Sequence, residues 1–286
     1  MCEKKEYQDP ISVDEQINNL INLGLIIENV DNAKRILERI SYYRLIKGYG
    51  INFKKDGHFK DNSKFEDIIY IYDFNSELRH LLFAFIEKIE ISLRTRLVNY
   101  FSINYGNFGY LDVDNFDKQE EQTDVIEEIK KEIERNHRSP HIMNFKENYV
   151  DGLIPFYAAA EVTTFGTLSK FYKNMNSIDK QAIAGKYHYY LESWIENISY
   201  IRNICAHYGR LYDVSLVKTP KIYTRYRKKG VDNKTIFASI IIFKKLLEKD
   251  DYECFIGTLK KLIEKYNKID LSKLGFVDSW EEILKI

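Results

Sequence analysis

From Phe65 to Ile103 the chain contains neither proline nor glycine, and apolar residues recur at Ile68, Tyr72, Leu78, Leu82, Phe85, Ile89, Leu93, Leu97 and Tyr100, close to a 3.6-residue period. This run predicts one long amphipathic helix stopped by Tyr105-Gly106. Because it exceeds the usual length of a globular helix, a break near Asn75-Ser76 is expected. Only four prolines, Pro10, Pro140, Pro155 and Pro220, interrupt 286 residues of which 44% are hydrophobic. The expected fold is therefore all-α, with a long central helix.

The rest of the chain reads as shorter helices. Ser12-x-x-Glu15 has the form of a capping box opening a helix through Ile17, Leu20, Ile21 and Leu23 that ends at Gly24. Asp31 is expected to cap a second, which carries Ile36, Leu37, Ile40 and Tyr43 as far as Gly48 and Gly50. The polar stretch from Ile51 to Ser63, with Asp56-Gly57 at its middle, has room for a small hairpin and reads as a linker. These boundaries give a small N-terminal helical subdomain over 1–60 and a main helical domain over 61–286. In the latter, residues 118–136 form a charged surface helix with a narrow stripe of Val125, Ile126, Ile129 and Ile133. Further helices are expected from Pro155 to Phe171 or Tyr172, with Gly166 as the weak point, and over 179–187, 190–208, 232–248 and 251–267, with a last turn after Asp278.

Composition narrows the function classes. Forty-three basic residues balance 43 acidic ones, so attraction for a polyanion has to come from local clustering. Cys2, Cys205 and Cys254 are scattered without a Cys-x-x-Cys pair, which argues against a disulfide framework and a structural zinc site and fits a reducing cytoplasm. The start, Met-Cys-Glu-Lys-Lys-Glu-Tyr, is too polar for a signal peptide, and no apolar run approaches the roughly 18 residues of a membrane span. A cytoplasmic protein without membrane contact is expected. His137 and His141 flank a proline and do not make a zinc pair, no glycine-rich phosphate loop is present, and neither metal nor cofactor is expected. Cys205, on a core face, reads as buried and inert.

The segment that carries chemistry lies in the helix over 190–208. On a helical wheel, Leu191, Trp194, Ile195, Ile198, Ile201 and Cys205 share one face, and Arg202 falls inside that stripe. A charge there must be paired or must reach out along its aliphatic stem. One explanation is a structural ion pair, for instance to Glu161 or Glu90; the other is catalysis. Asn203 and His207, at i and i+4, lie together on the other side, about 140° from Arg202 in the case of His207.

Arg202-Asn203-Ile204-Cys205-Ala206-His207 resembles the R-x(4–6)-H signature of HEPN ribonucleases. The longer block through Tyr208-Gly209-Arg210-Leu211-Tyr212 is similar to the RN-x-x-AH-x-x-RL block of Abi-like (AbiD/AbiF type) abortive-infection proteins of bacteria. Three more segments resemble that family in the same order: Tyr42-Tyr43-Arg44-Leu45 with Gly48-Tyr49; Ile86 to Thr95; and Pro155 to Tyr172 with Glu161 and Phe165-Gly166-Thr167-Leu168-Ser169. Together the blocks cover about residues 12–215. Tyr157 stands in place of an expected Trp and Asp213 in place of an expected Asn; neither touches the Arg/His pair.

The resemblance implies a HEPN-type helical bundle and metal-independent RNA cleavage by 2′-OH transesterification. His207 would transfer the proton, Arg202 would stabilise charge on the phosphorane-like transition state, and Asn203 would orient the phosphate or the imidazole, with Glu161 in support. It also implies an anti-phage toxin or effector, a homodimer whose two motifs meet in a composite site, and a neutralising RNA or protein antitoxin. One helix alone would not aim Arg202 and His207 at a single phosphate, so the site needs either a distorted helix end before Gly209 or a second copy. After the block, Lys218, Lys221, Arg225, Arg227, Lys228 and Lys229 crowd one loop with Tyr212, Tyr223 and Tyr226 interleaved. With Arg210 they are candidates for RNA contact, basic groups on phosphates and rings on unpaired bases, against the alternative of a solvated charged loop. The rival function is a non-catalytic HEPN protein that binds RNA or a partner.

Overall fold

The structure, a computed structural model, describes residues 9–285; Cys2 and the polar start of the chain lie outside them. Among the described residues there are thirteen α-helices, short 3-10 and π turns, and one two-stranded sheet, so the fold is all-α. No helix among them is long and apolar enough to cross a membrane. The described residues form two compact units: residues 9–78 with 262–269, and 79–261 with 270–285.

In the first unit, α1 (Val13–Asn22) starts on the expected capping box: Ser12 Oγ accepts from the Glu15 amide at 3.2 Å, and the Glu15 carboxylate accepts from the Ser12 amide at 2.7 Å. The second helix, α2 (Val30–Arg39), departs from expectation at both ends. Its cap is Asn29, whose Oδ1 accepts from the Asn32 amide at 2.9 Å, and Asp31 lies in the first turn. It stops at Arg39 because Ile40 is extended, and a separate π turn follows over Tyr43–Lys47. Gly48 is needed there by crowding, since a Cβ would lie 2.3 Å from the Arg44 carbonyl oxygen. The hairpin pairs β1 (Lys54–Lys55) with β2 (His58–Phe59). Asp56 and Gly57 both take positive φ, 50° and 86°, as a right-twisted two-residue turn requires. Leu20, Leu25, Leu37, Leu45, Ile46, Phe65 and Ile68 fill this unit's core.

The long helix α3 (Phe65–Tyr105) runs 41 residues without the break expected at Asn75-Ser76. Asn75 is fully buried between Phe74 and Leu78, and burial of those neighbours overrides its poor helix propensity. Gly106, at φ 75°, ends it. In the second unit, α4 (Gln119–Arg135) buries the predicted Val125, Ile126, Ile129 and Ile133, and α5 (Pro140–Asn148) follows, a helix the sequence reading missed. The helix expected after Pro155 is two, α6 (Phe156–Val162) and α7 (Phe165–Asn174). The break lies at Thr163-Thr164 and not at Gly166, because the Thr164 hydroxyl caps α7 by accepting from the Thr167 amide at 3.1 Å.

The remaining helices are α8 (Ser177–Ala184), α9 (His188–Ala206), α10 (Thr224–Arg227), α11 (Ile236–Leu246), α12 (Lys249–Lys265) and α13 (Trp280–Leu284). Of the eleven residues of α11 only Lys244 and Lys245 escape burial, so α11 is a core helix, apolar all round. Burying each large aliphatic side chain contributes roughly 1.5–3 kcal/mol. Phe101 of α3 packs its ring on Phe116, Phe156 and Phe171, with centroids 5.0 to 5.6 Å apart. Buried Asp179 ties α8 to α3 by accepting from the hydroxyls of Tyr100 and Tyr105, each at 2.7 Å.

Candidate active site

The apolar stripe of α9 is buried as expected, from Leu191 through Cys205, and burial pushes the Cys205 thiol up to about 12. His207 is the C-cap. Its amide still donates to Asn203 O at 3.0 Å, so the helix is regular up to the imidazole. Beyond it, the Tyr208 amide donates to Cys205 O at 3.2 Å and the Gly209 amide to Ile204 O at 2.7 Å, the two bonds of a Schellman turn. Tyr208 takes the left-handed position of that turn, at φ 59°. Gly209 is required by close approach: a Cβ would stand 2.7 Å from Ile204 Cγ2 and 3.1 Å from Ile204 O. Arg79, a buried residue of α3, donates from Nη1 to the Gly209 carbonyl at 3.2 Å. The backbone around His207 is thus fixed on both sides, while its imidazole is exposed and meets no hydrogen-bond partner among the described residues.

Arg202 leaves the stripe by its stem, as a charged side chain on an apolar face must. Its Nε lies 3.8 Å from Glu90 Oε2, its Nη1 makes a long 3.5 Å hydrogen bond to Asn203 Oδ1, and its guanidinium sits 5.7 Å from the Phe83 ring centre. Glu90 holds a second arginine more tightly: Arg94 Nη2 donates to it at 2.7 Å. Arg94 also donates to the carbonyls of Ala160 and Thr163 at the end of α6. Of the two carboxylates considered for Arg202, Glu90 is therefore the partner; Glu161 is exposed and forms no ion pair with it. The hydrogen bond from Arg202 to Asn203 joins these two residues of the motif, and no side-chain hydrogen bond joins either to His207 among the described residues.

An open groove of about 340 Å³ reaches Asn203, with Tyr200, Glu196, Lys170 and Lys218 among its walls. The basic loop starts at that groove and is pinned by α9: Trp194 Nε1 donates to Lys221 O and Asn197 Nδ2 to Lys218 O, both at 2.7 Å. Its side chains divide into two sets. Lys218 pairs with Glu196 at 2.6 Å, Lys229 with Glu282 at 2.8 Å, Lys221 lies over the Tyr189 ring, and Arg225 lies over Tyr223 and Tyr226. Arg227 and Lys228 are exposed without an ion-pair partner among the described residues. Tyr223 is half-buried against Tyr190, and Tyr212 and Tyr226 are buried, so the last two are core groups and not stacking surfaces. Arg210 is half-buried and donates to Asp213 O at 3.4 Å. Asp213 has φ 53°, a region that Asn and Asp share, which accounts for Asp standing where Asn was expected.

The sequence reading missed Arg79. Its signal was present, because Arg79 continues the stripe that passes through Tyr72 and Leu82, and a charge at such a position requires a partner. In a comparison with known protein families, residues 35–213 match the family described as Abi-like protein, a span that holds Arg202, Asn203 and His207 and ends before the basic loop. No curated protein and no solved structure matches the chain.

Proposed function

The chain belongs to the Abi-like protein family, and from that membership we propose that it is an abortive-infection effector that cleaves RNA without a metal ion, using Arg202, Asn203 and His207. The observation that supports the reading is the end of α9, where an exposed imidazole without a hydrogen-bond partner among the described residues stands on a fixed backbone and Arg202, five residues earlier, makes a long hydrogen bond to Asn203. The chemistry follows from the side chains. A base takes the proton of a ribose 2′-OH, the oxygen attacks the adjacent phosphorus, the P–O5′ bond breaks, and an acid protonates the leaving 5′-oxygen, giving a 2′,3′-cyclic phosphate and a 5′-hydroxyl. His207 suits one of these proton transfers, and the forked donors of Arg202 suit the charge that develops on the phosphorane.

One chain supplies one such histidine. The regular helix up to His207 supports the homodimer route, in which two α9 helices contribute to a composite site, over a distorted helix end. Arg227 and Lys228, exposed and without an ion-pair partner among the described residues, are the favoured phosphate contacts of the basic loop. Restraint by a neutralising RNA or protein antitoxin belongs to the same reading.

Purified protein incubated with total cellular RNA in EDTA should yield fragments ending in cyclic phosphate, and His207→Ala should lower the rate roughly 10²- to 10⁴-fold. Intact RNA under all conditions, or equal cutting by the variant, would sink the catalytic reading; RNA bound but never cut would replace it with a non-catalytic binding role.

A further inference from the structure

The block Tyr42-Tyr43-Arg44-Leu45 has no part in the chemistry assigned to α9, yet it lies in a one-sidedly charged stretch of the first unit. Residues 39–60 carry Arg39, Arg44, Lys47, Lys54, Lys55 and Lys60 against one carboxylate, Asp56. In a chain without net charge, local clustering of this kind is what attracts a polyanion. Other lysines of this unit meet carboxylates: Lys34 pairs with Asp14 at 2.7 Å, and Lys64 with Glu28 and Lys265 with Glu77 at 2.6 Å. Lys47, Lys54 and Lys55 form no ion pair among the described residues. Folding gathers them instead. Gly50 links the π turn to the hairpin and approaches it so closely that a Cβ would lie 3.8 Å from Phe59 Cε1. Lys54 Nζ stands 4.5 Å from the centre of the same ring, and Lys55 faces His58 across the two strands. Burial, and after it the charge of Lys47, holds the Lys54 ammonium below its ordinary value, so the two cations are near enough to repel. An aromatic ring stands beside them. Tyr43 is 78% exposed and has neither a ring contact nor a hydrogen bond to its hydroxyl among the described residues. It begins the turn that Lys47 ends, and π turns are rare and frequent at functional sites.

We propose that the π turn and hairpin of the first unit form a binding site for a single-stranded nucleic acid, with Lys47, Lys54 and Lys55 on its phosphates and the Tyr43 ring stacked on an unpaired base. Crowded cations lose their mutual repulsion when phosphates lie between them, and an exposed ring gains contact area when a base covers it. A strand is held here whether or not α9 cuts it. Lysine neutralises a phosphate as a point charge, and a ring face meets every base alike, so dependence on base sequence should be weak. A duplex keeps its bases stacked on one another and offers none to Tyr43. RNA and DNA strands share the phosphates and the base faces, and differ at this site only through the 2′-OH.

Tyr43→Trp in the full chain places a fluorescent ring at the site, and the wild type, with Trp194 and Trp280, gives the background. An unstructured RNA of about twelve nucleotides should quench the added indole, and a duplex of the same length should not. Quenching by RNA alone, or by RNA and the matching DNA strand alike, supports the site; the first places a 2′-OH contact in it. Adding Lys47→Gln, Lys54→Gln and Lys55→Gln, which keep most of each aliphatic stem, should weaken the affinity read from the quenching roughly tenfold or more at low salt. The slope of log affinity against log salt should flatten by about 0.7 for each lysine removed. The same three positions changed to Arg should bind like the parent, which separates lost charge from a disturbed turn. His207→Ala and Arg227→Gln with Lys228→Gln should leave the signal unchanged, so failure of the ribonuclease reading would not touch this site. An indole that stays unquenched at every RNA concentration, or a salt slope the three Gln changes do not move, would overturn it. Equal binding of polyglutamate, or of phosphatidylserine vesicles, through the same lysines would overturn nucleic acid as the ligand.

Discussion

Two arginines share one carboxylate in this protein, and the sharing is unequal. Glu90 lies 2.7 Å from Arg94 and 3.8 Å from Arg202, and the side chains of Glu90 and Arg94 are only 15% and 11% exposed, against 38% for Arg202. Arg94 also places Nη1 on two carbonyls of the α6 end, whereas Arg202 is more exposed. On the proposed reading Glu90 is a positioning residue: it pairs with the less exposed Arg94 and steers the more exposed Arg202. Replacing Glu90 with Ala would leave the mostly covered Arg94 without its carboxylate, and unfolding by urea should show a loss of about 3 kcal/mol. The same change frees the Arg202 guanidinium, so cleavage should fall even at temperatures where the variant is folded. Glu161→Ala, removing a carboxylate that forms no ion pair with Arg202, should change neither quantity.

At the scale of elements, the end of α9 depends on a residue without a side chain. Gly209 passes so close to Ile204 that a methyl group would have to push the helix end or the turn aside. Gly209→Ala should cost about 1–3 kcal/mol by overpacking, and because the strain falls on the turn that carries His207, kcat should drop along with thermal stability. Gly257, exposed in the middle of α12 with nothing within 4 Å of a built Cβ, is the matched control. There the same substitution should stabilise by about 0.5–1 kcal/mol, since alanine is the better helix former, and leave cleavage unchanged. Equal effects at the two positions would show that the α9 turn has no special bearing on the site.

Across the whole molecule, tyrosines give stability a pH limit on the alkaline side. Tyr100 is pushed up to about 12 by its hydrogen bond to Asp179 and by burial, and Tyr110 and Tyr212 are pushed up to about 12 chiefly by burial. In each case the folded protein holds the phenol proton more tightly than the unfolded chain, whose tyrosines titrate at the ordinary 10. The stabilisation is fully present below pH 10 and is lost as pH rises from about 10 toward 12. Absorbance at 295 nm and circular dichroism followed together should show these phenols ionising only as helix is lost; free titration near 10 with helix intact would contradict the arrangement.

The chain by itself determined what depends on neighbours in sequence: the α1 capping box, the hairpin at Asp56-Gly57, the reach of α3 to Tyr105 and the stripe of α9, together with the family to which residues 35–213 belong. These are periodicities and short-range hydrogen bonds, written within a few residues of where they act. Tertiary structure decided the rest. It kept α3 whole through Asn75-Ser76, where burial of Phe74 and Leu78 overrides the local signal. It also chose Glu90 over Glu161 for Arg202, turned Tyr212 and Tyr226 into core, and set Arg79 against Gly209. Each of those outcomes depends on which buried groups meet across the fold, and the free energy of a buried charge or polar group is set by the partner it finds there.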